Sequence, residues 1–295
     1  MASEINFKDL YEWCQVPVDN LENHPDLKIK LKILETKEEV HQWIADDLIK
    51  EVKQKNAEGK PTRWILPCGP TKQYPIFADI VNKERISLKN THVFHMDDLL
   101  DWQTQLLPLD HPLSYQGWML RRFYKNIDPE LNIPENQRHF PDPNDISSVS
   151  RAIEAVDGVD TMYTGVGYHG HIAYNEPPYT PWQSITNEEF RQSKSRILPI
   201  NIDTIIAISQ REMGGCSHVV PQMGITIGMS DMLSAKRIRL LSVTGSWKRT
   251  VLRIALFGPV TIEYPVTFVQ EHSDAMLIVD RNTIEIPFTL PDSIH

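Results

Sequence analysis

The feature that most constrains this chain is a repeated alternation of short apolar runs with longer segments of helical spacing. Apolar runs occur at residues 63–66, 92–95, 161–165, 237–243 and 275–280. Between several of them lie stretches with the spacing of a helix, as in Val40, Ile44, Leu48 and Val52. Strands of about five residues separated by helices imply βαβ units and a mostly parallel sheet. Residues 28–34 alternate lysine with apolar residues, which predicts a strand with one wet face. Thr36 and Glu39 form a capping-box pattern ahead of the next helix. Further helices are expected near residues 7–14, 74–81, 115–124, 146–156 and 248–257. Residues 219–233 read as a strand and then a helix, and residues 177–198 as irregular. Residues 1–27 read as an N-terminal extension and residues 28–295 as one α/β domain.

Composition limits the partners. Of the 295 residues, 30 are Lys or Arg and 39 are Asp or Glu, a formal net charge of −9. Nucleic-acid binding through phosphates calls for a basic excess, and an acidic surface is repelled by anionic lipid, so neither partner is expected. Net charge leaves room for a basic pocket. The chain shows no apolar run long enough for a membrane span and no signal-peptide pattern. Its three cysteines, Cys14, Cys68 and Cys216, are widely spaced and form neither a disulfide framework nor a zinc pattern. A cytoplasmic enzyme is the expectation.

In open α/β sheets ligands bind outside the carboxyl ends of the strands. Four polar clusters of this chain fall there. Cys68-Gly69-Pro70-Thr71 follows one strand and opens a helix, where backbone amides bind phosphate, although Pro70 lacks an N–H. Asp97-Asp98 follows another, and adjacent carboxylates raise each other's pKa, as a general base at neutral pH requires. The plainer reading is a strand-end turn or a helix cap, and for the pair alone the cap explains it better. Gly165-Val166-Gly167-Tyr168-His169-Gly170 fits a dinucleotide pattern, but Pro177-Pro178 prevents the long helix that pattern needs. His171 and Glu176 share that loop as an imidazole beside a carboxylate. Lys248 ends the fourth cluster. His92, His95 and Asp97, or His169, His171 and Glu176, are N/O ligand types for zinc, without an established metal spacing.

Taken in order, these clusters resemble one family. They run from Leu66-Pro67-Cys68-Gly69-Pro70-Thr71 through His95-Met96-Asp97-Asp98 and His111-Pro112-Leu113-Ser114-Tyr115. Gly170-His171-Ile172-Ala173-Tyr174-Asn175-Glu176-Pro177, Asp203-Thr204, Val220-Pro221, Gly224–Gly228 and Gly245-Ser246-Trp247-Lys248 follow. This is similar to the glucosamine-6-phosphate deaminase (isomerase) family over about residues 28–280. The Asn-Glu-Pro distinguishes it from the related 6-phosphogluconolactonases.

The resemblance implies a three-layer Rossmann-like α/β fold of the NagB/ribose-5-phosphate isomerase/CoA transferase type. It implies a sugar phosphate as partner, no cofactor and no metal, and a possible homo-oligomer. An amino sugar 6-phosphate would be opened, a proton moved from C2 to C1, and ammonia released to leave a ketose phosphate. By the same resemblance Asp97 is the base, and His171, held by Glu176, opens the ring. Cys68, Gly69, Pro70, Thr71, Lys72, Arg211 and Lys248 hold the phosphate, and Asp98, Gly167 and Gly170 complete the binding site. His169 stands where the family carries a catalytic aspartate, Pro70 where it carries glycine or serine, and Lys72 where it carries proline. Arg211 is displaced by one position from the family's arginine. Those departures imply a shifted substrate or reaction. Other readings are a non-catalytic sugar-phosphate sensor, a 6-phosphogluconolactonase-like enzyme or a metal-dependent sugar hydrolase.

Overall fold

A computed structural model describes residues 5–178 and 185–288. In chain order the first elements are α1 (Phe7–Gln15), β1 (Lys30–Leu34), α2 (Lys37–Ala57), β2 (Thr62–Leu66), α3 (Gln73–Glu84) and β3 (Thr91–His95). Then come β4 (Asp97–Leu100), α4 (Tyr115–Arg122), β5 (Arg138–His139), α5 (Ser148–Ala155) and β6 (Thr161–Gly165). Next are α6 (Asn187–Arg191), β7 (Arg196–Pro199), α7 (Ile202–Glu212), β8 (Met223–Thr226) and α8 (Met229–Leu233). The chain closes with β9 (Arg237–Ser242), α9 (Arg249–Phe257), β10 (Ala275–Asp280) and α10 (Arg281–Ile284).

Seven strands form the main sheet in the order β1-β10-β9-β6-β2-β3-β5. Every neighbouring pair is parallel. Because strand side chains alternate, each strand feeds two cores. Ile65, Phe94, Met162, Ile238, Leu240, Leu277 and Val279 pack on one face with residues of α5 and α9. Trp64, Leu66, Val93, Tyr163, Leu241 and Ile278 pack on the other with residues of α2, α3 and α4. Burial on both faces is why these strands read as continuous apolar runs. The expected capping box of α2 forms: Glu39 N donates to Thr36 Oγ1 at 3.2 Å, and Thr36 N to Glu39 Oε2 at 3.3 Å.

The chain leaves β2 toward β3 and leaves β6 toward β9, so the strand order reverses between β2 and β6. A crevice opens where such a reversal parts the loops. The loops after β2, β3, β6 and β9 all end at this edge.

Two expectations are corrected. The stretch 177–198 is not irregular where it is described. Thr186 and Glu189 cap α6, and β7 follows to Pro199, which ends an edge strand. Residues 179–184 lie outside the described residues. The second correction concerns Asp97-Asp98, which is not a turn closing β3. Asp97 opens β4, which pairs antiparallel with β8, and β8 pairs antiparallel with β7. Leu99 of this small sheet packs with Leu113, Tyr174 and Ile200 and with Ile205 and Ile208 of α7 in a third apolar cluster. Residues of the N-terminal stretch join the body: Arg253 Nη1 donates to Val16 O at 2.7 Å, and Cys14, Val18 and Leu21 are buried.

Candidate active site

A cavity of about 410 Å³ occupies the crevice. Cys68, Gly69, Pro70, Thr71, Lys72, Asp97, Gly167, His171, Arg211 and Lys248, all expected on sequence grounds, line it together. Leu66 and Gly165 end adjacent strands, which brings the phosphate-type loop after β2 beside the glycine-rich loop after β6.

Asp97 sits at the start of β4, opposite Thr226. Burial pushes its carboxyl up to about 8, and the charges of Asp98 and Glu176 push the same way. Asp98 behaves differently. Strand alternation turns its side chain away from the cavity, and it is 3% exposed. It accepts from Leu99 N at 2.8 Å, Tyr115 N at 2.9 Å and Gln116 N at 2.8 Å. Burial raises its carboxyl to about 6 against the pull of those amides. Asp98 therefore does not line the cavity, contrary to the expectation; it anchors the N-terminus of α4, where a carboxylate is favoured. That anchoring seats Tyr115, whose hydroxyl lies 2.6 Å from that of Tyr174. Both tyrosines line the cavity.

His171 lines the cavity, and its Nδ1 lies 3.1 Å from Glu176 Oε1. Glu176 stands behind the imidazole. Thr204 Oγ1 donates to its Oε1 at 2.5 Å and Asn201 N to its Oε2 at 2.7 Å. Burial raises the Glu176 carboxyl, but the imidazole and those two donors outweigh it and leave it below its ordinary value. The first turn of α7 thus holds Glu176, and Glu176 holds His171. Replacing Thr204 by valine is expected to cost about 1–2 kcal/mol in a urea melt, since the buried carboxylate loses a donor. It should also slow turnover about tenfold, as His171 loses its fixed orientation; unchanged values for both would refute this chain of support.

His169 lies behind the cavity wall. Its Nε2 is paired with Oδ2 of Asp203, also in the first turn of α7. Burial lowers the His169 pKa, with Asp203 opposing. A carboxylate from another element thus stands beside the His169 imidazole. Gly170 is corrected as well, since it is absent from the wall. Its φ of +73° and the contact a Cβ would make with Val266 Cγ1, at 2.8 Å, assign it to the turn itself. Gly167 presses on His171: a Cβ there would lie 1.8 Å from Nε2.

Lys248 is 2% exposed, and its ammonium donates to Val166 O. Burial, helped by the Arg211 charge, brings its pKa well below the ordinary lysine value. The Lys248 ammonium lies 4.4 Å from the Trp247 ring centroid and the Arg211 guanidinium 5.8 Å from it. Sequence reasoning gave no role to Lys37, His41, Arg122, Trp247 or Thr204 on the wall, or to Asp203 behind it, although Trp247, Asp203 and Thr204 stand in the quoted motifs. The roles of Asp203 and Thr204 could have been inferred from their place at a helix N-terminus; the others sit in helices or turns whose orientation no local pattern gives. Among the described residues no group of three His, Cys, Asp or Glu side chains is placed to hold a metal ion. No helix there is long and apolar enough to cross a membrane.

Comparison with known proteins bears on the family and the fold. No protein-family model matches the chain. A glucosamine-6-phosphate deaminase of Cronobacter sakazakii is 30% identical over 264 residues, covering 88% of this chain and 93% of that protein. One of Caenorhabditis elegans is 30% identical over 267 residues, 88% of this chain and 92% of the relative. The solved structure of a monomeric glucosamine-6-phosphate deaminase superposes with a TM-score of 0.73 at 24% identity, covering 88% of this chain and all of the other. A 6-phosphogluconolactonase from Shewanella baltica gives a TM-score of 0.60 at 16% identity, over 85% of this chain and 97% of the other. These two structures share the three-layer α/β fold. Identity at this level across almost the whole length places the chain in the glucosamine-6-phosphate deaminase family.

Proposed function

We propose that the protein is an enzyme acting on a sugar phosphate. In this reading it converts an amino sugar 6-phosphate to a ketose phosphate with release of ammonia. The observation that carries this is the shared cavity: a carboxyl poised near neutral pH, an imidazole backed by a carboxylate, and buried cationic charge face one space. The Cys68–Thr71 loop, Lys248 and Arg211 hold the phosphate. Thr71 offers its hydroxyl, and Lys248 offers a desolvated ammonium whose attraction to phosphate is little screened.

The sugar then lies toward Asp97 and His171. Imidazole Nε2 of His171 exchanges the proton that opens the ring, and Glu176 stabilises the imidazolium that forms. The Asp97 carboxylate takes the C2 proton and returns it to C1, while a proton from the C2 ammonium passes to the C1 oxygen. The C2 amine is left as an iminium, and water adds to it. The C2–N bond breaks with release of ammonia, leaving a C2 ketone. Both transfers need groups that change protonation near the working pH. His169 and Asp203 set the charge behind His171.

The test is ammonia release and fructose 6-phosphate formation from glucosamine 6-phosphate. Stoichiometric formation of both is expected. Ligand-induced stabilisation without either product would refute the enzymatic reading in favour of a sensor.

A further inference from the structure

Tyr115 and Tyr174 line the cavity, yet neither opens the ring nor moves a proton in the proposed steps. Tyr115 is the first residue of α4, and Tyr174 lies three residues beyond His171. Their hydroxyl oxygens are 2.6 Å apart, and their rings stack at 6.2 Å between centroids. Tyr174 is 3% exposed. Both stand beside Asp97. Asp98, the next residue, accepts from the Tyr115 amide at 2.9 Å. Tyr174 N donates to Thr226 Oγ1 at 3.2 Å, and Thr226 is the residue opposite Asp97 in the β4–β8 pair. The Tyr174 ring also lies 6.3 Å from the His171 ring.

The proton count defines what the pair can do. Each phenol has one O–H, and one of the two is used between the oxygens. Among the described residues neither hydroxyl has another hydrogen-bond partner. One O–H is therefore left for a ligand, and a hydroxyl that accepts from another becomes a stronger donor. Burial, with the Asp97 charge acting the same way, raises both phenols well above the ordinary tyrosine value. The pair thus donates hydrogen bonds and keeps its protons.

The proposed reaction needs such a donor. When Asp97 takes the C2 proton, the C2–H electron pair forms the C1=C2 bond, and the C1=O pair moves onto the C1 oxygen. That oxygen carries negative charge until the proton of the C2 ammonium reaches it. Asp97 returns its proton to C1 and His171 opens the ring at C1, and Tyr174 lies beside both. We propose that Tyr174 and Tyr115 form a catalytic donor pair that holds the C1 oxygen of the sugar while this charge develops. The proposal rests on the deaminase reading above.

Tyr174→Phe and Tyr115→Phe each keep the ring and remove one hydroxyl. Each is expected to lower kcat on glucosamine 6-phosphate about 10²-fold with KM changed less than about threefold, as for loss of an oxyanion donor. The double variant should be no more than about threefold slower than the slower single one, since the hydroxyls act as a unit. Wild-type kcat in both single variants, or a rise in KM alone, would overturn the donor pair. A binding arm needs no turnover. By titration calorimetry the full chain should bind 5-phosphoarabinonohydroxamate, a planar mimic of the enolate, at least about tenfold tighter than glucitol 6-phosphate. In Tyr174→Phe that preference should fall to about twofold, with glucitol 6-phosphate bound within about twofold of wild type, which also certifies the fold. Equal affinities in the wild type would overturn the donor pair and leave the sugar-phosphate reading standing. Failure of both ligands to bind, with no ammonia released by the wild type, would overturn the two together.

Discussion

Replacing Asp97 by asparagine is expected to lower turnover by about 10²–10⁴-fold, the range by which a positioned general base contributes. The amide keeps the shape but cannot accept the C2 proton. The wild type should show the titration that the variant lacks. Only the ionised carboxylate acts as base, and its pKa is pushed to about 8. Wild-type kcat/KM should therefore rise with pH up to about 8 and level off above, while the variant keeps only a flat residue. Stability moves the opposite way. A carboxyl whose folded-state pKa stands near 8 against an ordinary 3.8 binds its proton more tightly in the native chain. Folded stability then declines as pH rises through that window. Asparagine has no such penalty, so the variant should melt higher than the wild type at pH 8 and no higher at pH 4. A stable variant with near wild-type turnover would remove Asp97 from the mechanism.

Substituting alanine for Gly167 should be almost as damaging, although the residue carries no chemistry. The added methyl would stand 1.8 Å from Nε2, 1.9 Å from Cδ2 and 2.3 Å from Cε1 of His171. Backbone relief is restricted, because Gly167 N donates to His171 O at 2.8 Å. The ring must swing away, and its contact with Glu176 goes with it. A displacement of about 1 Å at a reacting group can cost about 10²-fold, and kcat should fall by that order with a smaller change in KM. Overpacking should cost about 1–3 kcal/mol of stability. The double variant Gly167→Ala with His171→Ala should be no slower than His171→Ala alone, since both act through one imidazole. Additive losses would show that Gly167 serves something else.

How far the fold was legible depended on where each segment sits. Interior parallel strands such as Trp64-Ile65-Leu66 and Leu240-Leu241 are buried on both faces, so their runs of apolar residues announce them. The α2 helix carries both its cap and its apolar stripe locally. α7 does neither plainly: Ile202 and Ile206 are exposed while Ile205 and Ile208 are buried, so its isoleucines blur the stripe. β4 begins with two aspartates and finds its partner far along the chain in β8, a pairing no local pattern contains.

The candidate site divides in the same way. By itself the sequence determined the succession of the long main-sheet strands, the residue types in the polar loops that follow them, and the family resemblance. Those follow from apolar periodicity and from short contiguous motifs such as Gly170-His171-Ile172-Ala173-Tyr174-Asn175-Glu176-Pro177. Tertiary structure alone decided which of two adjacent aspartates faces the cavity, because pleating in β4 sends Asp97 inward and Asp98 to the α4 amides. It alone brought Asp203 to His169 and Thr204 to Glu176, and it alone set Arg122 beside Thr71. Such pairings join segments far apart in the chain, and only the packing of α4 and α7 against the sheet edge fixes where their side chains end.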